Sequence, residues 1–256
     1  MVLSGLDPSG GAGIQADIQA ITALGAHPLP VLTCLTVQDT CNVHGATPVE
    51  AELIRAQLEC LEGDTPIHAV KTGALGNAGV VAVLLEFLTR HPELPLIVDP
   101  VIKAAGGGDL ADQALIESMT QQLFSHADVI TPNGVEVALL GHSDQETQAV
   151  ARLLDAGCPS VLVTGGHGEG PDIINTLYRQ QRHPQQWAVK RVGGEYHGTG
   201  CTLAAAIAAG RAAGLPLEAA IESAQRFVSA AIDRALAVGS GQPVPDRSTA
   251  PSPASS

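Results

Sequence analysis

Short runs of apolar, β-branched residues alternate along the chain with longer stretches whose apolar residues recur every three or four positions. The short runs predict strands, listed in chain order as Val31–Val37, Ala69–Gly73, Leu96–Val101, Val129–Thr131 and Val161–Thr164. The longer stretches predict helices, which are Gly13–Leu24, Val49–Leu61, Ala78–Arg90, Asp112–Phe124 and Gln145–Ala156. Repeated strand–helix–strand alternation indicates an α/β fold with a mainly parallel sheet and helices on both sides.

The pattern changes in the last third of the chain. The segments "INTLYRQ" and "WAVKRV" predict a pair of β-strands joined by a polar turn, and helices are predicted at Thr199–Ala213 and Leu217–Val238. We expect residues 1–238 to form one domain. The remaining residues, 239–256, are rich in proline and serine, a composition typical of disorder.

Composition and charge narrow the functional classes. A chain of 256 residues with 45% hydrophobic and 15% charged residues has enough apolar side chains for one large core. The formal net charge is −13, and the aromatic residues are only one tryptophan, two tyrosines and three phenylalanines. This balance argues against nucleic acid as a partner, because there is no basic surface for phosphates and few rings to stack on bases.

The lack of a recognisable targeting signal and the pattern of cysteines predict a cytoplasmic protein. A secretory signal would require basic residues near its start, and none precedes Arg55. No apolar run reaches the ~18 residues of a membrane span. Five cysteines without a C-x-x-C pair suggest a reducing compartment.

The first glycine-rich loop, "GLDPSGGAGIQAD", runs from Gly5 to Asp17 just before a predicted helix. It lacks the lysine and hydroxyl residue of a Walker loop and the glycine spacing of a dinucleotide fingerprint. Because Asp7 would repel a phosphate, the loop fits a neutral ligand with many hydrogen-bonding groups. Asp17 could accept bonds from such a ligand, or it could simply complement the helix dipole.

A second loop, "YHGTGCTLAAAIAAG", leads into an alanine-rich helix. Free amides at the start of that helix would make an anion site, with Cys201 in the first turn where a thiolate is favoured. The alternative is an ordinary glycine turn with a buried thiol.

Two further strand ends carry polar side chains. In "TPNGVEV", Asn133 and Glu136 lie one helical turn apart and could hold water around Mg²⁺, although the same spacing fits a capping box. Asp99 in "VDPV" is a second candidate for the metal, or a turn acid before proline. The glycines of "VTGGHGEGPD" suit close approach of a nucleotide, or a plain hairpin turn.

These motifs together resemble the hydroxymethylpyrimidine/phosphomethylpyrimidine kinases of thiamine biosynthesis, members of the ribokinase-like superfamily. The resemblance is carried by "SGLDPSGGAGIQAD", "LTVQDT", "VDPV", "TPN", "GGHG" and "YHGTGCTLAAAIAAG", and it covers nearly all of the chain except the tail. It implies a three-layer α/β/α sandwich, ATP and Mg²⁺ as cofactors, and a homodimer.

The resemblance also implies roles for individual residues. It implies an aminopyrimidine pocket at Gly5, Asp17, Gln38 and Val101. The anion hole and catalytic position correspond to Gly198, Thr199, Gly200 and Cys201, with Cys201 placed to help remove the alcohol proton. The metal–nucleotide loop corresponds to Asn133 and Glu136, and Asp99 stays a candidate metal ligand from its place at a strand end. Nucleotide contacts are expected at Thr164, Gly166 and Lys103.

Two positions depart from the family pattern. Thr164 stands where many relatives have a lysine, which removes a phosphate contact, and Lys103 could restore the missing charge. Ala74 stands where many relatives have a methionine, and the smaller alanine would loosen one wall of the pocket.

The resemblance implies phosphorylation of 4-amino-5-hydroxymethyl-2-methylpyrimidine and then of its monophosphate. A pyridoxal or pyridoxine kinase is the nearest alternative, and a non-catalytic module that senses the pyrimidine is an alternative of another class.

Overall fold

The computed structural model describes residues 1–103, 108, 110–166 and 170–249. Within these residues the strands are β1 Val2–Leu6, β2 Pro30–Gln38, β3 Val43–Pro48, β4 Val70–Thr72, β5 Leu96–Val98, β6 Val129–Ile130, β7 Ser160–Val163, β8 Asp172–Arg179 and β9 Gln185–Lys190. The α-helices are α1 Gly13–Ala23, α2 Ala51–Asp64, α3 Ala78–Arg90, α4 Gln113–Ser118, α5 Gly134–Leu140, α6 Glu146–Asp155, α7 Thr199–Ala212 and α8 Leu217–Asp233.

All described strands join one sheet in the order β3-β2-β1-β4-β5-β6-β7-β8-β9. The pairs from β2 to β7 are parallel, while β3, β8 and β9 pair antiparallel at the two edges. Parallel strands buried on both faces read as continuous apolar runs, which is why the central strands were recognisable in the sequence. The predicted mainly parallel sheet is confirmed.

Two hydrophobic cores lie on opposite faces of the sheet. One contains Phe87 of α3 and Val137 of α5 packed on sheet residues such as Val98. The other contains Ile207 of α7 and Phe227 of α8 packed on sheet residues such as Ile97. Adjacent residues of β5 therefore face different cores, and the predicted three-layer α/β/α sandwich is confirmed.

The structure corrects two details of the predicted elements. Strand β3 was not predicted, because its sequence "VHGATP" is polar, contains glycine and proline, and stays largely exposed at the sheet edge. The predicted helix Asp112–Phe124 is a short α4 followed by a π-helical turn, Met119–Leu123, and a 3₁₀ turn, Phe124–His126.

The predicted disorder of the tail is wrong for residues 239–249. Leu236 and Val244 form a β-bridge, the Gln242 amide donates to the Thr40 carbonyl at 3.1 Å, and Arg247 is 2% exposed. Residues 250–256 lie outside the described part of the chain. No described helix is both long enough and apolar enough to span a membrane.

Candidate active site

The strand order predicts a ligand-binding crevice above the carboxyl ends of β1 and β4. The chain leaves β1 toward β2 on one side and later enters β4 on the other, and ligands of open α/β sheets bind where the order reverses in this way. The loop after β1 leads into α1, whose neighbour in the same layer is α7. Both glycine-rich loops predicted to carry chemistry therefore reach this crevice.

Asp7 organises the first loop instead of facing a ligand. Its buried carboxylate accepts hydrogen bonds from the amides of Ser9 and Ala12, each at 2.8 Å, and from His197 Nε2 at 2.8 Å. Burial alone would raise the pKa of Asp7, but the hydrogen bonds from His197 and Ser9 hold it below its ordinary value. The carboxylate thereby ties the first loop to the turn that precedes α7.

Glycine allows these two loops to approach backbone to backbone. Gly198 has φ +79°, and a Cβ there would overlap the carbonyl oxygen of Gly11. A Cβ on Gly13, which has φ +56°, would likewise overlap the carbonyl oxygen of Gly5. Gly5 thus contributes to the site through its backbone, as a closely packed strand end.

The N-terminus of α7 presents unpaired backbone donors. Gly198 is its N-cap, no side chain caps it, and the first helical bond runs from the Thr202 amide to the Gly198 carbonyl at 3.0 Å. Within the described part of the chain, the amides of Thr199, Gly200 and Cys201 donate to no protein acceptor. Such donors, with the helix dipole behind them, form an anion site.

Beneath the crevice lies a buried ion pair that the sequence analysis missed. Lys71 of β4 and Asp17 of α1 are both fully buried, and Lys71 Nζ lies 3.0 Å from Asp17 Oδ2. Burial opposes both charges and raises the pKa of Asp17, but Asp17 and nearby Asp99 raise the pKa of Lys71 above its ordinary value, so Lys71 carries its proton. Asp17 is thus paired with Lys71, and its contact with the ligand stays a prediction. The only available sequence signal was a lysine within an apolar strand.

Asp99 lies close enough to both Glu136 and Cys201 to raise the pKa of each. Burial raises the pKa of Asp99, and burial together with Asp99 raises the pKa of Glu136 to about 8. Asp99 Oδ2 is buried without a hydrogen-bond partner among the described residues. The crevice therefore contains carboxylates that would gain from a cation.

The structure contradicts the expected thiolate at Cys201. Burial, and next the neighbouring Asp99, raise the pKa of the Cys201 thiol to about 12. A helix N-terminus favours a thiolate, but here desolvation and the acidic neighbours outweigh that effect. Cys201 is therefore predominantly a thiol at neutral pH, and its part in removing the alcohol proton stays a prediction.

We expect alkylation to distinguish the cysteines. With its pKa raised to about 12, very little of the Cys201 thiol is ionised at pH 7.5, and only the thiolate reacts. Cys41 and Cys60 are exposed and serve as internal controls. Iodoacetamide, followed by peptide mass spectrometry, should modify both at least about tenfold faster than Cys201. Cys201 reacting first would contradict the neutral thiol.

Asn133 and Glu136 form the capping box considered as the alternative in the sequence. Asn133 Oδ1 accepts from the amides of Val135 and Glu136, and Glu136 Oε2 accepts from the Asn133 amide, all at 2.9 Å. Glu136 is nevertheless buried beside Asp99, so capping and cation binding are compatible. The described residues contain no cluster of three metal-binding side chains, but Mg²⁺ commonly binds through one or two carboxylates, phosphates and water.

The remaining predicted pocket residues surround the same strand ends. Gln38 ends β2, half-buried, and its Nε2 donates to Thr36 Oγ1 at 2.7 Å. Val101 follows β5 and is half-buried, while the carbonyl of buried Ala74 accepts a hydrogen bond from Thr33 Oγ1. These residues lie near neighbouring strand ends, and their contact with a ligand stays a prediction.

The predicted nucleotide contacts lie farther along the sheet. Thr164 follows β7, and its amide donates to the Pro132 carbonyl at 2.9 Å, which brings the two strand ends together. Gly166 is exposed and its carbonyl accepts from Arg191 Nη1 at 2.9 Å. Lys103 is exposed next to the undescribed residues 104–107. Their contacts with a nucleotide remain predictions.

Comparison with known proteins assigns the family. A sequence model described as phosphomethylpyrimidine kinase matches residues 7–245. The chain belongs to this kinase family. It is 36% identical over 250 residues to the hydroxymethylpyrimidine/phosphomethylpyrimidine kinase of Salmonella typhimurium, with 94% of each chain covered. It is 37% identical to the thiamine biosynthesis bifunctional protein ThiED of Geobacter sulfurreducens, over 94% of this chain but only 50% of that protein.

Solved structures of kinases share the fold. The ADP complex of Bacillus subtilis pyridoxal kinase superposes with a TM-score of 0.88 at 26% identity, covering 97% of this kinase and 96% of the other chain. The phosphomethylpyrimidine kinase of Clostridium difficile superposes with a TM-score of 0.76 at 28% identity, covering 90% and 97%. The ribokinase-like architecture expected from the sequence is thus confirmed.

Proposed function

We propose that this chain transfers the γ-phosphoryl group of ATP to the hydroxymethyl oxygen of 4-amino-5-hydroxymethyl-2-methylpyrimidine, and then to the monophosphate so formed. In the first step the acceptor oxygen bonds to the γ-phosphorus, the bond from that phosphorus to the bridging oxygen breaks, and ADP and a proton leave. In the second step the acceptor is a phosphate oxygen, which is already anionic.

One observation carries the proposal: the free amides at the start of α7 are held against the acidic first loop at the crevice of the sheet. Phosphoryl transfer depends on alignment and on stabilisation of charge spread over three oxygens. The turn that begins at the N-cap Gly198 would provide both, through the free amides of Thr199, Gly200 and Cys201. Cys201 contributes as a neutral thiol in the first turn of the helix.

Mg²⁺ fits the carboxylates of this crevice. Asp99, with its unpartnered Oδ2, and the buried Glu136 would hold it. When bound, the ion neutralises charge on the nucleotide phosphates. We propose that the nucleotide lies along Asn133, Thr164 and Gly166, with Lys103 beside it.

Gly5, Asp17, Gln38 and Val101 are the proposed surroundings of the pyrimidine. Pyridoxal is the rival acceptor, favoured by the similarity to pyridoxal kinase structures and by the small side chain of Ala74. The names of the curated relatives and the position of Gln38 favour the pyrimidine.

We further propose that the enzyme is a cytoplasmic homodimer. All five cysteines are free, which fits a reducing compartment where ATP is available. Leu35 is 45% and Val37 66% exposed on β2, near the sheet edge, and a partner subunit would cover them.

Product analysis tests the proposed function. The protein is incubated with Mg-ATP and either the hydroxymethylpyrimidine or pyridoxal, and the products are resolved by mass spectrometry. We expect the pyrimidine monophosphate and then the diphosphate, with pyridoxal phosphorylated at least about tenfold more slowly. Faster turnover of pyridoxal would select the rival, and ATP-independent binding without product would indicate a sensing module.

A further inference from the structure

Arg247 lies in the C-terminal segment, two residues beyond the stretch matched by the family model. It is 2% exposed, and its guanidinium reaches the two loops of the crevice. Nη2 lies 2.6 Å from the carbonyl oxygen of Gly11 and 3.4 Å from that of Gly198, and Nε donates to Thr202 Oγ1 at 2.7 Å. One side chain thus links the first loop, the N-cap of α7 and its first turn.

Burial opposes the charge of this arginine and lowers its pKa, and the carboxylates of Asp17 and Asp7, which lie beyond ion-pair distance, offset that effect only in part. Burying a guanidinium is costly unless it is paired, and among the described residues no carboxylate lies within ion-pair distance of Arg247. Its further hydrogen bond, at 3.3 Å, goes to the neutral Gln19 side chain. It also sits at the positive end of α7, where the helix dipole disfavours cations. A fixed positive charge in this place becomes favourable when an anion occupies the turn.

Arg247 brings a buried positive charge to the first loop and the turn before α7. It does so from a segment whose composition predicted disorder.

We propose that Arg247 is a positioning residue for phosphoryl transfer: it fixes the Gly11 and Gly198 carbonyls so that the free amides of α7 face the crevice, and its buried charge adds to the positive potential there. The inference deepens the proposed function and rests on it. Arg247 acts through the backbone of the turn, and the C-terminal segment becomes part of the active domain.

Arg247→Met keeps much of the side chain's volume and removes both the positive charge and the hydrogen-bond donors of the guanidinium. Because misplacement of a reacting group by about 1 Å can cost 100-fold, we expect kcat to fall about 10- to 100-fold while KM for the acceptor changes less than about threefold. Arg247→Lys, which keeps a cation, should restore part of kcat. Thermal unfolding, measured alongside, confirms that each variant is folded at the assay temperature.

Arg234→Met is the matched control. Arg234 Nη2 holds the same segment, at the carbonyls of Asp246 (3.3 Å) and Thr249 (3.2 Å), but it is exposed. Its loss should leave kcat within about twofold. The inference would be overturned if Arg247→Met left kcat unchanged or if Arg234→Met lowered kcat equally. It would also be overturned if Arg247→Lys recovered none of the kcat lost in Arg247→Met. Should Arg247→Met not fold, Arg247→Lys decides, with kcat about 3- to 10-fold lower at unchanged KM expected.

A binding measurement separates this inference from the proposed function. Inorganic phosphate is titrated into the unaltered protein and the three variants by calorimetry, without ATP or acceptor. We expect Arg247→Met to bind phosphate at least about fivefold more weakly than the unaltered protein and Arg234→Met, because a positive charge next to the anion is lost. If the acceptor proves to be another alcohol, this ranking still holds. Equal phosphate binding by all four proteins would refute the role of the charge.

Discussion

Replacing Lys71 with methionine is expected to lower the free energy of unfolding by about 3–5 kcal/mol, because it leaves the fully buried carboxylate of Asp17 without its partner. That is a large part of the 5–15 kcal/mol by which domains are usually stable. Urea unfolding at pH 7.5 measures the change. A loss below about 1 kcal/mol would show that the ion pair is not formed as described.

Two controls separate the broken pair from a general effect of losing charge. In Lys71→Met/Asp17→Leu both partners become apolar, and this double variant should be more stable than Lys71→Met alone, since no buried charge remains unpaired. Arg226→Met breaks the exposed pair with Glu222 on α8, in which both side chains are more than half exposed. Its cost should stay below about 0.5 kcal/mol.

Replacing Gly198 with alanine is expected to reduce kcat/KM at least about 100-fold. The new methyl group would overlap the Gly11 carbonyl and crowd Arg247 Nη2, which would lie 2.8 Å away, so the two loops must separate. Separation turns the amides of α7 away from the position where charge develops, and loss of such donors typically costs 10²–10³-fold. Steady-state kinetics with Mg-ATP and the pyrimidine measures the loss.

Gly214→Ala is the matched control at the other end of the same helix. Gly214 has φ +83°, close to the +79° of Gly198, but a Cβ there meets no atom within 4 Å. Alanine should therefore cost about 1–2 kcal/mol of stability for the left-handed conformation and leave kcat/KM within about twofold. Equal catalytic losses in the two variants would mean that backbone strain, and not contact between the loops, controls the rate.

Local patterns in the sequence were sufficient for most of the fold. The helix Ala78–Arg90 has the bounds predicted from its apolar periodicity, and the central strands agree within a few residues. Strand β3 was missed because an exposed edge strand needs no alternation of apolar residues. The packing of residues 239–249 was missed because composition reports how a segment behaves alone, whereas Arg247 is ordered by carbonyls that belong to distant loops.

The site was predictable as a set of loops but not as a set of contacts. The acidic first loop and the glycine turn were each recognised in the sequence, and the contact between Asp7 and His197 joins them. The Lys71–Asp17 pair could not be read from spacing, since its members are 54 positions apart on different elements. The pKa of Cys201 was predicted in the wrong direction because the helix end is visible in the sequence, whereas the burial and the facing carboxylates are tertiary features.

In the proposed mechanism, the backbone amides at the N-terminus of α7 bind the transferred phosphoryl group. A crystal structure of the enzyme with Mg-ADP, the pyrimidine and aluminium fluoride, which mimics the phosphoryl group, tests it most directly. We expect fluorides within about 2.7–3.1 Å of the amide nitrogens of Gly200 and Cys201. The account would be contradicted if aluminium fluoride bound elsewhere in the crevice, while those amides faced water or donated hydrogen bonds to protein atoms.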